Sequence, residues 1–267
     1  MEEHDFAGKV CVVTGGTQGL GEATARYFAQ HAAAGIVICG RNIERGEAAR
    51  SAIEAFGVPT LFIAAHLESE PECEAVIAAA DQRFGRVDVL VNAGGTTKRG
   101  SIVDSSAADI DEVFAINVRG PMVLMREAIA VMRRKGAGGS IVNVSSVVAT
   151  GGPEFLCAYS ASKAALNVVT RNAAYAVVRD RIRVNGIGPG WIDTPGEHAT
   201  RLDYHGEDEG WLARAEATQP FGRLIKVDEL ARAIAFLAGP QSGLMTGSIV
   251  HFDQSIPGAG DPPMPPA

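Results

Sequence analysis

A tyrosine and a lysine stand four residues apart in the segment Tyr159-Ser160-Ala161-Ser162-Lys163. In a helix this spacing places the two side chains next to each other on one face. A tyrosine ordinarily loses its proton near a pH of about 10, and a neighbouring ammonium favours the phenolate and lowers that pKa. The pair therefore predicts proton transfer, with Tyr159 as the general acid or base. On spacing alone, an ordinary surface pair is the alternative.

Two hydroxyl side chains, Ser145 and Ser146, follow the apolar run 141–144. The run predicts a buried strand, and open parallel sheets bind ligands at the carboxyl ends of their strands. A serine at that edge can hydrogen-bond a substrate oxygen and stabilise the charge that develops on it. These residues alone do not choose between the two serines, and a turn or helix cap is the other interpretation.

A glycine-rich segment, Gly15-Gly16-Thr17-Gln18-Gly19-Leu20-Gly21, follows the apolar run 10–14 and precedes an alanine-rich stretch. Glycines allow a tight turn and a close approach to a pyrophosphate, and the N–H groups at the start of the next helix attract its charge. The segment predicts a dinucleotide site. Its spacing differs from G-x-G-x-x-G, so a simple tight turn is the alternative, and the missing Gly-Lys-Ser/Thr excludes a P-loop.

An arginine, Arg41, follows the second apolar run, 36–39, where an NAD enzyme of this architecture usually has an acidic residue on the ribose hydroxyls. A guanidinium pairs well with a phosphate, and Gly40 leaves room for one. The sequence therefore favours NADP(H) over NAD(H). A surface arginine at the end of a strand is the alternative.

Seven short apolar runs alternate with alanine-rich segments along the chain. The runs are continuously hydrophobic, as expected for strands covered by helices on both faces. The predicted fold is α/β: a single doubly wound (Rossmann-type) parallel seven-stranded sheet with helices on both faces. The predicted strands are 10–14, 36–39, 61–64, 87–91, 141–144, 184–187 and 248–252, and the predicted helices are 21–33, 43–56, 72–84, 107–117, 121–134, 159–178 and 228–238.

The chain has 267 residues, 46% of them hydrophobic, and residues 1–267 are expected to form one domain. Residues 195–220 break the alternating pattern with mixed charge and several glycines, and we interpret them as an insertion that forms a substrate lid. The tail 257–267 is rich in proline and glycine and is expected to be mobile or to lie extended along the surface.

Charge and cysteine content exclude several classes of function. The net charge is −7 with both signs interspersed, which argues against a nucleic-acid partner. No secretory signal and no apolar stretch of about 18 residues is present, so a cytoplasmic protein without a membrane segment is expected. No metal site is predicted, because the cysteines are far apart and no histidine cluster accompanies them. The expected buried thiols are Cys11, Cys39, Cys73 and Cys157.

Together these residues resemble the short-chain dehydrogenase/reductase family over nearly the whole chain. The family's marks occur in order as the segment 14–21, Asn92-Ala93-Gly94-Gly95, Asn117, Ser146, the segment 159–163 and Pro189-Gly190-Trp191-Ile192-Asp193-Thr194. The family's spacing of thirteen residues between its serine and its tyrosine selects Ser146 over Ser145.

The resemblance implies an oxidoreductase that interconverts a ketone or aldehyde and an alcohol. Tyr159 would donate a proton to the carbonyl, Ser146 would polarise it, and Asn117 would anchor a water that relays protons. Lys163 would lower the Tyr159 pKa and hold the nicotinamide ribose. Residues 92–94 would pack along the adenine-ribose side, and Ile192 and Thr194 would meet the carboxamide. The residues expected to bind the cofactor are Gly15, Thr17, Gln18, Gly19, Leu20, Gly21, Arg41, His66, Leu67, Asn92, Ala93, Gly94, Tyr159, Lys163, Pro189, Gly190, Ile192 and Thr194.

One position departs from the family. Members usually carry an aspartate after the third strand, against the adenine amine, and His66 stands here instead. His66 would accept a hydrogen bond through a ring nitrogen, or the backbone of Leu67 would serve alone. A surface histidine without a role is the further alternative.

The substrate is expected above Ser146 and Tyr159, bounded by residues 96–99, 154–156, Trp191 and 195–220. The resemblance does not identify this small molecule, because one framework serves many substrates, and it implies a homotetramer. Two other functions remain open: an NAD-dependent alcohol or polyol dehydrogenase, and a nucleotide-binding redox regulator without catalysis.

Overall fold

Seven parallel strands form the centre of the computed structural model, which describes residues 5–256. Their order is β3-β2-β1-β4-β5-β6-β9, and β7 and β8 pair separately. The strands are β1 (Val10–Thr14), β2 (Gly35–Gly40), β3 (Thr60–Ala64), β4 (Val89–Asn92), β5 (Gly139–Val144), β6 (Ile182–Pro189), β7 (Ile192–Asp193), β8 (Ile225–Lys226) and β9 (Ile249–Phe252). The strand order reverses between β1 and β4, which is where open sheets of this kind bind ligands. The predicted doubly wound seven-stranded sheet is confirmed.

Helices cover both faces of this sheet. They are α1 (Gly19–Gln30), α2 (Ile43–Glu54), α3 (Glu70–Phe84), α4 (Ala107–Phe114), α5 (Gly120–Lys135), α6 (Cys157–Val177), α7 (Pro195–Asp203), α8 (Trp211–Ala217) and α9 (Val227–Ala238). One buried cluster lies between the sheet and α1, α2 and α9, and a second lies between the sheet and α3, α5 and α6. Val12 and Val13 are neighbours in β1, yet Val12 belongs to the second cluster and Val13 to the first. Successive side chains of a strand point to opposite faces, so burial of both faces requires an unbroken apolar run.

The helices predicted over 107–117 and 121–134 form one continuous helix, in which a π-helical segment, Ala115–Arg119, joins α4 to α5. In this segment the Gly120 N–H bonds to the carbonyl of Ala115, five residues earlier. Pro121 follows, and it has no N–H to give to the Asn117 carbonyl four residues before it. The π-helical turn therefore occurs where Pro121 interrupts the α-helical hydrogen-bond pattern. Asn117 lies within this turn.

Residues 195–220 contain α7 and α8, two short helices that the sequence pattern did not predict. Trp211 is fully buried here with Ala215 and Leu224, and Trp191 packs against them. This segment therefore has a small core of its own. The tail predicted to be mobile, 257–267, lies outside the described residues.

Three of the four cysteines, Cys11, Cys39 and Cys73, are buried as expected. Cys157 is only partly buried, because it lies at the first position of α6, so that part of the expectation was wrong. None of the helices within residues 5–256 combines the length and apolar character needed to cross a membrane.

Candidate active site

A cavity of about 500 Å³ opens beyond the carboxyl ends of β1, β2 and β3, and we call it the β1–β2 cavity. Its position matches the point where the strand order reverses. It is lined by Gly15, Thr17, Gln18, Cys39, Gly40, Arg41, Asn42, Arg45, Ala65, His66, Leu67, Glu68, Gly94, Gly95, Thr96 and Ile116. Seven of the predicted cofactor residues are among them.

The glycine-rich segment is shaped by close backbone contacts. Gly15 has φ +64°, and a Cβ there would lie 2.8 Å from the Gly94 Cα. A Cβ at Gly21 would lie 2.3 Å from the Gly15 carbonyl oxygen. Because neither site has room for a side chain, the start of α1 and the segment after β4 both lie directly against the loop. This leaves an open cradle of backbone at the cavity, which suits a pyrophosphate.

Two arginines stand on one side of this cavity. The Arg41 side chain is exposed, and no hydrogen bond or ion pair holds its guanidinium within the described part of the chain. Arg45 lies in the first turn of α2, and its Nη1 donates to Gln18 Oε1 at 2.5 Å. Asn42 caps the helix by accepting from the Arg45 N–H at 2.8 Å. Sequence reasoning missed Arg45, although its place four residues after Arg41 was visible.

His66 lies at the mouth of the same cavity with its side chain 52% exposed. Its Nδ1 lies 3.3 Å from Glu68 Oε1, and its backbone N–H donates to Glu72 Oε2 at 2.7 Å. Leu67 also lines the cavity. The geometry places both residues where the sequence put them, and their contact with an adenine stays a prediction.

A second cavity, of about 620 Å³, adjoins the first, and Gly95 lines both. We call it the Tyr159 cavity. It is lined by Gly95, Thr97, Arg99, Ser146, Val147, Val148, Pro153, Phe155, Leu156, Tyr159, Gly190, Trp191, Ile192, Thr194, Gly196, Glu197, Arg201, Gln219 and Asp253. Each segment that was predicted to bound the substrate contributes at least one residue to the wall of this cavity.

Ser146 and Tyr159 meet in this second cavity. The Ser146 side chain interacts with the Tyr159 hydroxyl and lowers the pKa of that phenol, and its Oγ accepts from the Val148 N–H at 3.3 Å. Ser145 instead is buried, and its Oγ donates to the Lys163 carbonyl at 3.4 Å. The structure therefore places the hydroxyl of Ser146, and not that of Ser145, beside Tyr159.

The pKa values of the pair differ from the sequence-based expectation. Burial raises the pKa of Tyr159, and this outweighs the hydrogen bond from Ser146 and the nearby charge of Arg99, which lower it. Lys163 donates from Nζ to the Val144 carbonyl at 2.8 Å, and its Nζ lies 5.6 Å from the centroid of the Tyr159 ring. Burial lowers the pKa of Lys163 to about 8. Desolvation thus dominates both groups, and the expected lowering of the Tyr159 pKa by Lys163 is absent from this geometry.

Asn117 joins the segment after β4 to helix α6. Its Oδ1 accepts from the Thr96 N–H at 2.9 Å, and its Nδ2 donates to the Thr96 carbonyl at 2.9 Å and to Ser162 Oγ at 3.0 Å. Ser162 Oγ in turn donates to the Tyr159 carbonyl at 2.7 Å. Both amide hydrogens of Asn117 are used, so its side chain positions the backbone of the site. Its expected role in anchoring a water stays a prediction, and Ser162 is a positioning residue that sequence reasoning missed.

Seven predicted cofactor residues line neither cavity in the described part of the chain. Asn92 is buried, and its Nδ2 donates to Asn143 Oδ1 at 2.8 Å, which ties β4 to β5. Lys163 lies behind Gly95, where a Cβ would be 3.6 Å from its Nζ. The seven are Gly19, Leu20, Gly21, Asn92, Ala93, Lys163 and Pro189.

Comparison with known proteins places this geometry in a family. Residues 15–255 match the family model described as enoyl-(acyl carrier protein) reductase. The chain is 36% identical over 249 residues to an uncharacterized oxidoreductase of Thermotoga maritima, covering 93% of this chain and 97% of that one. It is 34% identical to the cis-4-hydroxycyclohexanecarboxylate dehydrogenase of Sinomonas cyclohexanicum, covering 93% and 96%. The structure of L-sorbose reductase from Gluconobacter frateurii, solved with NADPH and L-sorbose, has a TM-score of 0.88 at 30% identity, covering 95% of this chain and 98% of that one.

The sheet order, the paired cavities and these matches define a class of protein. The chain belongs to the short-chain dehydrogenase/reductase family, whose members are oxidoreductases acting on CH–OH groups.

Proposed function

We propose that this protein is an NADP(H)-dependent oxidoreductase that interconverts a ketone or aldehyde and the corresponding alcohol, with Tyr159 as general acid and base. One observation carries the proposal: Ser146 and Tyr159 together line a cavity that adjoins a glycine-lined cavity at Gly95. A substrate oxygen beside these two hydroxyls would lie next to the end of a dinucleotide that fills the first cavity.

The residues of the β1–β2 cavity fit NADP(H). The loop 15–21 offers backbone N–H groups for a pyrophosphate, and Arg41 has a guanidinium without a partner among the described residues. Arg45 adds a second positive charge beside it. The similar L-sorbose reductase was solved with NADPH, which agrees with this choice. When bound, the nicotinamide supplies or accepts the hydride.

Tyr159 handles the proton in this proposal. Its raised pKa keeps the phenol protonated at neutral pH, so it is ready to donate a proton to a carbonyl oxygen during reduction. Ser146 donates a hydrogen bond to the same oxygen and stabilises the charge that develops there. In the oxidation direction the phenolate is needed, so we expect that direction to require higher pH. Lys163 has a pKa of about 8, so its ammonium is protonated at neutral pH and gives a positive charge next to the two cavities.

The remaining expectations belong to the same proposal. Ile192 and Thr194 would hold the carboxamide end of the cofactor, since both line the Tyr159 cavity. Residues 195–220 would act as the lid, since Glu197 and Arg201 of α7 line that cavity too. The proposal also includes a homotetramer, which the family resemblance implies, and a cytoplasmic location, which the sequence pattern predicted.

A substrate panel tests the proposal directly. Purified protein is mixed with NADPH or NADH and with sugars, cyclic ketones and aldehydes, and the nicotinamide absorbance is followed. We expect several carbonyl compounds to oxidise NADPH faster than NADH. NADPH binding without turnover of any carbonyl, or of any alcohol with NADP⁺, would indicate a nucleotide-binding regulator. A preference for NAD⁺ and polyols would indicate the NAD-dependent dehydrogenase.

A further inference from the structure

Arg99 is a buried cation on the wall of the Tyr159 cavity. Its side chain is only 6% exposed, and its guanidinium lies 5.5 Å from the centroid of the Phe155 ring. Nη1 donates to the Thr97 carbonyl at 2.9 Å, while Nε is buried without a hydrogen-bond partner in the described residues. A guanidinium carries five N–H donors and keeps its charge in proteins, so most of its capacity here is unused.

The carboxylate nearest to Arg99, that of Glu197, is already hydrogen-bonded to another arginine. Glu197 Oε1 accepts from Arg201 Nε at 2.8 Å and from Trp191 Nε1 at 2.9 Å. Its Oε2 lies 3.8 Å from Arg99 Nη2, near the outer end of the distance range of an ion pair. The Arg201 guanidinium also lies 4.2 Å from the centroid of a Trp191 ring, so this pair is fixed from two sides. Among residues 5–256, Arg99 therefore has only a long, shared counter-charge.

In the part of the chain that the structure describes, the other ionised groups that line this cavity with Arg99 and Glu197 are Asp253 and Arg201, and both already have hydrogen-bond partners. Asp253 accepts hydrogen bonds from the backbone N–H and the hydroxyl of Ser255. Arg201 bonds to Glu207 Oε1 at 3.2 Å as well as to Glu197. A buried cation with incomplete pairing costs stability, so its retention in a binding cavity points to an external anion.

We propose that the substrate carries a carboxylate, which pairs with Arg99 while the reacting carbonyl or hydroxyl meets Ser146 and Tyr159. The substrate class is thus an oxo acid or hydroxy acid, and this inference rests on the oxidoreductase function proposed above. A carboxylate matches the planar fork of a guanidinium and would use its free donors. Arg99 and Tyr159 share the cavity closely enough for the Arg99 charge to act on the phenol.

Matched substrate pairs test this inference. Several oxo acids of different length, including 4-oxocyclohexanecarboxylate, are compared with their carboxamides, which have the same shape without the charge. For wild type we expect kcat/KM to favour at least one acid over its amide by about 10-fold or more, as a charge-assisted pair is worth about 1.5–3 kcal/mol. Arg99→Gln should remove that preference, mainly by raising KM for the acid more than KM for its amide.

Two variants and a binding measurement control for damage to the fold. Arg126→Gln removes a charge from an exposed arginine of α5 and should leave the acid preference unchanged. Arg99→Lys keeps the positive charge and should retain part of the preference. Trp191 lines the cavity and the chain has 2 tryptophans, so quenching of tryptophan fluorescence reports binding of an oxo acid without turnover.

The outcomes separate this inference from the function it rests on. Equal turnover of every acid and its amide by wild type, or an equal loss of both in Arg99→Gln, would show that Arg99 is structural. If no carbonyl is turned over, but an acid quenches the tryptophan fluorescence of wild type and not that of Arg99→Gln, the anion site stands and the oxidoreductase proposal is overturned. Turnover of neutral carbonyls alone, with no quenching by acids, would overturn the anion site and leave the oxidoreductase proposal intact.

Discussion

The Lys163 ammonium donates a hydrogen bond to the Val144 carbonyl oxygen 2.8 Å away, at the end of β5, while the Tyr159 hydroxyl interacts with Ser146. The lysine thus ties α6 to the edge of the sheet. Because both groups are buried, desolvation raises the pKa of Tyr159 and lowers that of Lys163 to about 8. Burial moves each pKa in the direction that favours the uncharged form.

The buried lysine predicts a pH-dependent stability. The pKa of Lys163 falls from 10.5 when unfolded to about 8 in the fold, so the folded state loses its proton first. The cost of burying the ammonium is complete below a pH of about 8 and disappears as the pH rises to 10.5. We therefore expect the free energy of unfolding of wild type, relative to Lys163→Met, to increase over this range.

Urea unfolding without cofactor at several pH values measures this difference. Lys135→Met, which removes an exposed lysine at the end of α5, controls for the loss of a charge. A difference between wild type and Lys163→Met that stays constant or decreases with rising pH would be inconsistent with a desolvated ammonium.

Cofactor selectivity depends on Arg41 in this account. Replacing it by alanine removes the guanidinium that would contact the 2′-phosphate, so Arg41→Ala should weaken NADPH binding by about 10- to 100-fold and leave NADH binding nearly unchanged. Fluorescence titration of the reduced cofactors measures both affinities. Arg26→Ala, on the exposed face of α1, is the control. Equal weakening of both cofactors would show that Arg41 acts only through the general field of the cavity.

The bonds from Asn117 to the Thr96 backbone predict a positioning role. Asn117→Ala leaves the N–H and carbonyl of Thr96 without these partners, which should cost about 2–4 kcal/mol of stability and lower kcat. Thr96→Ala keeps both backbone groups and should retain nearly full stability. Urea denaturation of the two variants makes the comparison. Similar losses of stability in both would show that the Thr96 side chain contributes as much as the hydrogen bonds from Asn117, which would contradict this prediction.

The central sheet was predictable because burial of both faces requires continuous apolar runs, as at Val12 and Val13. The segment Tyr159 to Lys163 was predictable because its chemistry lies within one helical turn. The helices α7 and α8 were missed because they are short and mixed in charge, and packing around Trp211 stabilises them.

Long-range contacts account for the remaining differences. Nothing near Lys163 in the sequence shows that its ammonium reaches the carbonyl of Val144, nineteen residues away. Burial of Arg99 likewise depends on α7, which supplies Glu197 about a hundred residues later. Such pairings arise from the fold, and local patterns do not contain them.

Single-turnover reduction by Tyr159→Phe, with NADPH bound in advance, measures directly whether Tyr159 supplies the proton. The ring remains and only the exchangeable proton is lost, so NADPH affinity should match wild type while the rate of the chemical step falls by about 10²- to 10⁴-fold. If Tyr159→Phe reduces the substrate at nearly the wild-type rate, some other group supplies the proton, and Tyr159 is not the general acid.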